Sequence, residues 1–355
     1  MPGERANQVP AMKSSMFKIL NNNRGMALLL TVLIISLILI LTVRFNTAMR
    51  SSLTSASNLQ DNVALNHMAK SIFNAARAVL SIDAAESSFD SLHEDWANLT
   101  AASQYFSMFF DQGQGGINVI DHSGRLQINS LIAANNAGND AGNDNVWAVN
   151  EEQEKTWSKL LSAEEFELDD EEVTGIIEAL IDWIDEDDEP LGFGGAESSY
   201  YQGLEKPYTP RNSPMEFVEE LLLVRGITPE LYYGTDEIPG LATLVTPYGT
   251  DGKVNINTAD PLVLGALSEE IEPDMVDSML AYRDYEDSDL SNPEWYKLAP
   301  GFPEDIVIPP GLITTSSSYF EIVAEVAREK MKKKVRGMVV RGPGSRTELI
   351  YWKAE

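Results

Sequence analysis

Hydrophobic and polar positions divide the start of the chain into a basic leader and an apolar run. Residues 1–25 contain four basic residues and one acid. An uninterrupted run of 18 uncharged, mainly apolar residues follows, from Met26 to Val43. As a helix rising about 1.5 Å per residue, the run spans about 27 Å, which is enough to cross the hydrocarbon core of a membrane. The basic residues before the run predict that the leader lies in the cytoplasm and the rest of the chain outside.

The helical pattern continues beyond the apolar run. Residues 45–84 contain neither Pro nor Gly, and apolar residues between Leu59 and Leu80 recur at helical spacing. We therefore predict one continuous helix over residues 26–84, with residues 26–43 in the membrane. The remainder of the helix is amphipathic and is expected to lay its apolar face on a sheet.

The rest of the chain is predicted to alternate between strand and helix. Segments 117–121 and 126–129 flank a Ser-Gly pair and predict a β-hairpin. The Gly-, Asn- and Asp-rich residues 135–145 predict a loop at a boundary, and residues 150–300 predict short helices broken by Gly and Pro. Three β-type segments joined by short turns then predict an antiparallel meander: 319–327, 334–341 and 347–353.

Composition and charge narrow the classes of function. The chain has 355 residues and a formal net charge of −29. Such a surface repels nucleic acid and anionic lipid headgroups, and it favours cationic partners and divalent metal ions. The chain contains no cysteine, which excludes disulfides, thiol catalysis and thiolate metal sites.

Carboxylates are concentrated between Glu164 and Glu197, where 15 acids occur without one Lys or Arg. Oxygen ligands at this density suit Ca²⁺. The spacing Asp185-x-Asp187-x-Glu189 is similar to the start of an EF-hand loop, but Pro190 occupies the position where that loop needs Gly. Two interpretations therefore stay open, an irregular calcium loop closed by Glu197 and a solvated acidic surface. Four of these acids crowd the end of a predicted helix, where extra anions are unfavourable: Asp182, Asp185, Asp187 and Asp188.

The segment VNINTA at 254–259 precedes two short predicted helices, 261–267 and 273–285. Asn257 or Thr258 is expected to cap the first of them. The pair resembles a helix-hairpin-helix or SAM-like unit, a module whose usual role is to grip DNA phosphates through a glycine-rich hairpin. Here the hairpin contains three glutamates and no glycine, so we predict a packing unit that binds no nucleic acid.

Three interpretations fit the junction Arg24-Gly25-Met26. An ordinary signal peptide would be cut after the apolar run, but residues 44–48 are a poor cleavage site. An uncleaved single-pass anchor is the second interpretation. The third resembles a type IV prepilin leader, which is basic, ends in Gly and is cut immediately before the apolar helix.

The acid-free apolar run affects assembly if the third interpretation holds. Pilin-like proteins usually have a glutamate at the fifth residue after the cut, where it neutralises the free amine of the adjoining subunit. Leu30 occupies that position here, and the run contains no acid. A buried amine and a buried carboxylate are tolerated in hydrocarbon only as a pair. We therefore predict that the subunit stands first in a fibre, at the tip; the alternative is that it does not polymerise.

Motifs spread along the chain resemble the type II secretion minor pseudopilin K family. They are the Arg24-Gly25 junction before an acid-free helix, DWIDxD at 182–187, GAExxYY at 195–201, NSP at 212–214 with EEL at 219–221, and VNINTA at 254–259. The resemblance covers the chain from Arg24 onward. It implies an α+β pilin-like fold, in which a long N-terminal helix packs on an antiparallel sheet and a large helical domain is inserted. The implied parts are a cleaved leader (1–25), the helix (26–84), the first part of the pilin core (85–134), the inserted helical domain (135–305) and the C-terminal core strands (306–355).

The resemblance also implies a processing site, partners and a location. Prepilin peptidase would cut after Gly25 and methylate the new N-terminus at Met26. The implied partners are minor pseudopilins I and J, the major pseudopilin and the inner-membrane secretion platform. The subunit would span the inner membrane once, place its C-terminal domain in the periplasm and start or cap the pseudopilus, which supports the export of folded proteins. The implied structural calcium would bind Asp182, Asp185, Asp187 and Glu197, with Asp188 and Asn212 as further candidate ligands.

The sequence gives less support to two alternative functions. A membrane-tethered, calcium-dependent periplasmic hydrolase would use the acidic cluster, but an enzyme has no need of a prepilin junction. A DNA-uptake pilin would bind DNA through the helix-hairpin-helix unit, but Glu269, Glu270 and Glu272 in the hairpin of that unit would repel phosphates. We therefore expect an assembly subunit that is not an enzyme.

Overall fold

The computed structural model describes residues 25–99, 113–134, 147–235, 238–342 and 344–355. The chain divides into two compact units, one ending at Ala64 and the other running from Leu65 to Glu355. The predicted loop at 135–145 lies outside the described residues.

The helices and strands follow one another as α1 (Met26–Glu86), β1 (Gln114–Asp121), β2 (Leu126–Gln127), β3 (Ile132–Ala134), β4 (Trp147–Val149), α2 (Glu151–Leu161), α3 (Asp170–Ile184), α4 (Ser198–Gln202), α5 (Pro229–Tyr233), α6 (Leu241–Leu244), β5 (Val245–Thr246), β6 (Val254–Asn255), α7 (Pro261–Ala266), α8 (Pro273–Arg283), β7 (Ile313–Thr314), β8 (Tyr319–Arg328), β9 (Met331–Arg341) and β10 (Thr347–Ala354).

Helix α1 confirms the predicted unbroken N-terminal helix. Its apolar run is exposed, and within the described residues α1 is the one candidate membrane span, with a mean hydropathy of 3.0 over its most apolar 18 residues. The hydroxyls of Thr31, Ser36 and Thr42 donate to backbone carbonyls three or four residues earlier in the same helix, at 2.8 Å. These bonds satisfy the hydroxyls of the run internally, as a hydrocarbon environment requires.

The second unit contains the last part of α1, which packs on a sheet. Leu65 and Phe73 are buried in an apolar cluster with strand residues such as Phe320. Burial begins at Leu65, whereas Leu59 and Val63, which share the predicted apolar face, are exposed. The amphipathic pattern therefore starts earlier in the sequence than the sheet contact does.

The main sheet of the described residues has four antiparallel strands in the order β1-β8-β9-β10. Strands β8, β9 and β10 are consecutive in the chain and confirm the predicted meander. Strand β1 comes from much earlier in the sequence and pairs with β8, where Asp121 lies opposite Phe320. Phe320, Ile322 and Val326 of β8 belong to the same apolar cluster as the α1 residues, and they alternate with residues of the opposite face such as Glu321 and Glu325.

The predicted hairpin between 117–121 and 126–129 is wrong. Strand β1 pairs with β8, β2 pairs in parallel with β5, and Ile128–Ser130 form a 3₁₀ turn. The backbone N–H of Ser123 donates to the Asp121 carboxylate at 2.7 Å, and the Ser123 carbonyl accepts from the N–H of Asn255 at 2.7 Å. Because this turn bonds to a distant segment, the chain leaves the sheet instead of folding back along β1.

Short helices between β4 and β7 surround a larger apolar cluster, which includes Trp157, Leu180, Trp183 and Trp295. This arrangement agrees with the predicted helical character of residues 150–300. The inserted-domain boundaries at 135 and 305 and the helix-hairpin-helix or SAM-like arrangement of α7 and α8 remain predictions.

The VNINTA segment has a different role from the predicted cap. Asp260 caps α7, since its Oδ1 accepts from the N–H of Leu262 at 3.0 Å. Asn257 is fully buried instead, with its amide donating to the carbonyls of Asp90 and Leu290 and its Oδ1 accepting from Trp295 Nε1 at 2.6 Å. The motif therefore connects buried polar groups from distant parts of the second unit.

A guanidinium joins the end of β9 to the last turn of α1 and to the segment that follows this helix. Arg341 donates to Asp83 at 2.6 Å and also to Asp90, and all three side chains are largely buried. Its guanidinium lies 4.5 Å from the centre of the Phe320 ring. Two buried carboxylates thus share one cation.

Replacement of Arg341 by Met is expected to lower the free energy of unfolding by about 3 kcal/mol, because it leaves buried carboxylates without their cation. Urea denaturation of the detergent-solubilised chain, followed by tryptophan fluorescence, measures the loss. Lys334→Met is the matched control, since Lys334 lies on the same strand and pairs with Glu325 at 3.1 Å with both side chains exposed. That variant should change stability by less than about 1 kcal/mol, and an equal loss in both variants would contradict the proposed role of Arg341.

Candidate metal centre

Helix α3 places two carboxylates at its C-terminal end. The helix begins at a capping box, in which the Asp169 side chain accepts from backbone N–H groups and Glu172 accepts from the N–H of Asp169. It ends at Ile184, and the next residue, Asp185, has an extended backbone. Asp182, one turn before this end, is fully buried, and Asp185 is half-buried.

The segment after α3 brings a third carboxylate back to the helix end. The N–H of Leu191 donates to Asp182 at 3.0 Å, which ties the loop to the helix. A Cβ at Gly195 would lie 2.3 Å from the Leu191 carbonyl and 2.5 Å from Asp182 Oδ2, so this position tolerates only glycine. The close approach positions Glu197, which is 1% exposed.

Asp182, Asp185 and Glu197 form one cluster. Each offers a carboxylate oxygen, and these oxygens lie within 4.8 Å of one another. Within the described residues, Asp185 Oδ1 and both oxygens of Glu197 are buried without a hydrogen-bond partner, as is Oδ1 of nearby Asn212. Buried oxygens that lack donors are costly unless a cation coordinates them.

The pKa values of the cluster also indicate that its carboxylates need a positive counter-charge. Burial, with a smaller contribution from neighbouring carboxylates, raises the pKa of Asp182 to about 6, that of Asp185 to about 7 and that of Glu197 to about 8. These groups resist ionisation together in the absence of a counter-charge. A divalent cation would supply that charge.

The donor set fits calcium by its chemistry. Carboxylate and amide oxygens are the ligands that Ca²⁺ takes, and the cluster contains no nitrogen or sulfur ligand among the described side chains. Asp182, Asp185 and Glu197 would bind the ion directly. The ion would supply two positive charges that join the end of α3 to the start of α4.

The other predicted ligands occupy different positions. Asp187 and Asp188 are exposed and lie outside the three-carboxylate cluster. Asp187 Oδ1 accepts from the N–H of Glu189 at 2.8 Å, and Asp188 Oδ1 accepts from the N–H of Ser198 at 3.1 Å. Asn212 has a φ of 45° and donates its amide to the Asp187 carbonyl at 2.5 Å. These three residues therefore shape the loop, and their coordination of an ion remains a prediction.

A second acidic group escaped the sequence reasoning. Asp83, Asp90 and Glu94 also place carboxylate oxygens within 4.8 Å of one another. Arg341 supplies the positive charge there. The three acids lie within twelve positions of one another, but Arg341 is about 250 positions away, so the sequence gives no local signal of the charge that they share.

The predicted processing and assembly residues lie at the start of α1. Gly25 precedes the helix, and its carbonyl accepts from the N–H of Leu29 at 3.1 Å. Met26 is the first helical residue, and Leu30 is exposed on the helix surface. Exposure of all three agrees with a segment whose surroundings are lipid or other subunits.

Comparisons with known proteins agree on one family. Residues 124–234 match the family model described as Type II secretion system (T2SS), protein K. The type II secretion system protein K of Aeromonas hydrophila is 29% identical over 196 residues, which are 52% of this chain and 56% of that protein. The protein of the same name from Pseudomonas aeruginosa is 28% identical over 270 residues, which are 73% of this chain and 72% of that protein.

A solved structure shares the fold. It is a chain of the crystal structure of the GspK-GspI-GspJ complex from the enterotoxigenic Escherichia coli Type 2 Secretion System, with a TM-score of 0.62 and 18% identity. The match covers 85% of this chain and 98% of that chain. The predicted resemblance to the protein K family is confirmed. The mixed fold with a long N-terminal apolar helix and an antiparallel sheet is confirmed with it.

The protein K match includes the candidate metal centre. The matched residues 124–234 contain Asp182, Asp185, Glu197 and Asn212. Helix α1 and the VNINTA segment lie outside that range, so their roles rest on the structure and on the wider likeness to protein K relatives. The chain spans 56% of the length of the Aeromonas relative.

Proposed function

We propose that this chain is a minor pseudopilin at the tip of a type II secretion pseudopilus. The observation on which the proposal rests is the start of α1, an exposed apolar helix with Leu30 in place of an acid. A subunit without that acid has no partner for the amine of a neighbour ahead of it in hydrocarbon. Such a subunit belongs at the first position, where it starts or caps the fibre that supports export of folded proteins.

The proposed partners follow from the related assembly. The solved relative comes from a GspK-GspI-GspJ complex. We therefore infer that this chain binds minor pseudopilins I and J, and that the major pseudopilin and the inner-membrane platform meet the resulting tip. Prepilin peptidase would process the chain between Gly25 and Met26, leaving one span in the inner membrane and the remainder in the periplasm.

Calcium is proposed as a structural ion. Its support is the group of buried, unpartnered oxygens on Asp185 and Glu197 beside Asp182. The ion would lock the loop between α3 and α4 and would take part in no reaction. A non-enzymatic role also agrees with the matched relatives, which are named as components of a secretion system.

Co-purification and fibre labelling test the position in the assembly. The full-length chain, expressed with full-length I and J and extracted in mild detergent, should purify as a stable complex that contains all three. Gold labelling of assembled pseudopili should mark this chain at one end, because the next subunit cannot add ahead of it. Labels repeated along the shaft would contradict the tip assignment, and a major pseudopilin labelled in parallel is the control for access.

A further inference from the structure

A groove borders the loop that follows α3. It has a volume of about 1050 Å³. Its lining includes the turn before α3, the first half of α3, the loop tip at Phe193 and Gly194, and the start of α5. A space of this size accepts a peptide segment rather than a single ion.

The lining of the groove is strongly acidic. Seven carboxylates and one guanidinium face it. The guanidinium, on Arg225, already donates to the carbonyls of Gly194 and Gly195 at 3.2 Å and 3.0 Å and lies over the Tyr200 ring. A single positive charge among seven carboxylates leaves the lining strongly negative. The seven acids are Glu165, Glu167, Asp169, Glu171, Glu172, Glu178 and Glu230.

Local structure explains some of these acids and leaves others. Asp169 and Glu172 form the capping box of α3, and Glu178 accepts from the N–H of Gly194 at 2.6 Å. By contrast, Glu171 and Glu230 are exposed, and the described residues offer their carboxylates no hydrogen bond or ion pair. They lie in the first turns of α3 and α5. These carboxylates are available to a cationic partner.

An aromatic ring stands at the rim of this acidic groove. Phe193 has a relative exposure of 104%, the highest of the exposed large apolar side chains. The packing of the loop on α3 fixes the position of Phe193. A Cβ at Gly194 would lie 2.3 Å from the Cα of Gly175, so only glycine allows this packing. A loop held in place with a fully exposed ring presents a ready anchor for a partner.

We propose that this groove docks a basic segment of a partner protein, with lysine or arginine side chains among the carboxylates and an apolar side chain against Phe193. Charge complementarity selects the occupant, because anionic lipid and nucleic acid would be repelled by the same carboxylates. The proposal depends neither on the place of the chain in a fibre nor on calcium.

Fluorescence anisotropy tests the groove with the full-length chain in nonionic detergent, calcium and physiological salt. The probe is a short fluorescein-labelled peptide that alternates lysine with leucine, and its counterpart with glutamate for lysine is the negative probe. Glu171→Gln with Glu230→Gln should weaken binding of the lysine peptide by about tenfold, since two exposed ion pairs are lost. Phe193→Ser should weaken it by about fivefold.

A matched control separates docking from general attraction to an acidic protein. Glu269→Gln with Glu270→Gln removes the same charge from two exposed positions outside the groove. This pair should leave the affinity unchanged. Equal weakening by both pairs, or no weakening by Phe193→Ser, would overturn the proposal. Self-association of the chain that the groove variants abolish would assign the surface to a second copy and would overturn it as well.

Discussion

Removal of calcium is expected to lower the melting temperature of the detergent-solubilised chain. Binding to the folded state alone should stabilise it by about 3–4 kcal/mol when free calcium exceeds the dissociation constant by roughly a hundred- to a thousandfold. The reason is the cluster of Asp182, Asp185 and Glu197, whose buried oxygens have few donors of their own. Scanning calorimetry with calcium and with a chelator measures the difference.

The calcium effect should grow with pH. Without the ion, the folded pKa values of Asp182, Asp185 and Glu197 are raised to about 6, 7 and 8, above those of an unfolded chain. The folded state then retains protons that the unfolded state has lost, so stability falls as the pH rises from about 4 to about 8. Calcium replaces those protons and removes the loss. The increment in melting temperature should therefore be small near pH 5 and largest near pH 8.

Variants locate the effect in the cluster. Glu197→Gln should abolish most of the calcium increment, and Gly195→Ala should weaken it because the added Cβ collides with Asp182 and Leu191. Glu189→Gln is the matched control, since Glu189 lies in the same loop with an exposed side chain. It should retain the full increment. Equal melting of the wild type with calcium and with chelator would end the metal proposal.

Elements with a local pattern were predictable from the sequence. Helix α1 follows from a long stretch without Pro or Gly, and the C-terminal meander follows from three β-type segments separated by short turns. In both cases the residues that determine the element are neighbours in the chain. Local propensity and tertiary packing then agree, and the prediction succeeds.

The prediction of a β-hairpin was wrong because residues of its turn form hydrogen bonds with distant segments. The Asp121 carboxylate accepts from the hydroxyls of Thr258 and Ser317, both at 2.5 Å, and the Ser123 carbonyl accepts from Asn255. A buried carboxylate needs such donors, and they come from segments more than a hundred positions away. A turn pattern contains no information about that need. The VNINTA segment was likewise expected to cap a neighbouring helix, whereas in the structure it joins Asp90 to Trp295. These partners are distant in the sequence, so a local pattern does not reveal them.

The candidate site was predictable in its residue types and only partly in its geometry. The density of acids at the end of α3 and a returning Glu197 can be read from the sequence, whereas Asp182 was assigned as a ligand through the resemblance to the protein K family. Which acids turn inward depends on the path of the loop. Asp187 and Asp188 were expected beside the ion, yet both are exposed and accept backbone N–H groups. Short-range hydrogen bonds of this kind compete with coordination and are not visible in a list of carboxylates.

Replacement of Gly25 by Leu is expected to leave the whole chain as an unprocessed precursor that still inserts in the membrane. Cleavage before the apolar run needs the small residue at the junction, whereas insertion depends on residues 26–43, which the substitution leaves unchanged. Intact-mass measurement and N-terminal sequencing of the membrane fraction distinguish the two forms. The wild-type chain should begin at a methylated Met26, and the variant should retain its leader.

Gly3→Leu provides the matched control, because it makes the same change inside the leader but away from the junction; it should be processed normally. A mature wild-type N-terminus beyond Val43 would show signal-peptide cleavage and would contradict the pseudopilin proposal, because the chain would then lose the stem that joins it to a fibre. Retention of the leader in the wild type would favour a plain anchor instead. Cleavage at Gly25 leaves an apolar stem with a free amine at its start and Leu30 where a carboxylate would otherwise lie, and this charge arrangement permits a place at the tip but not in the shaft.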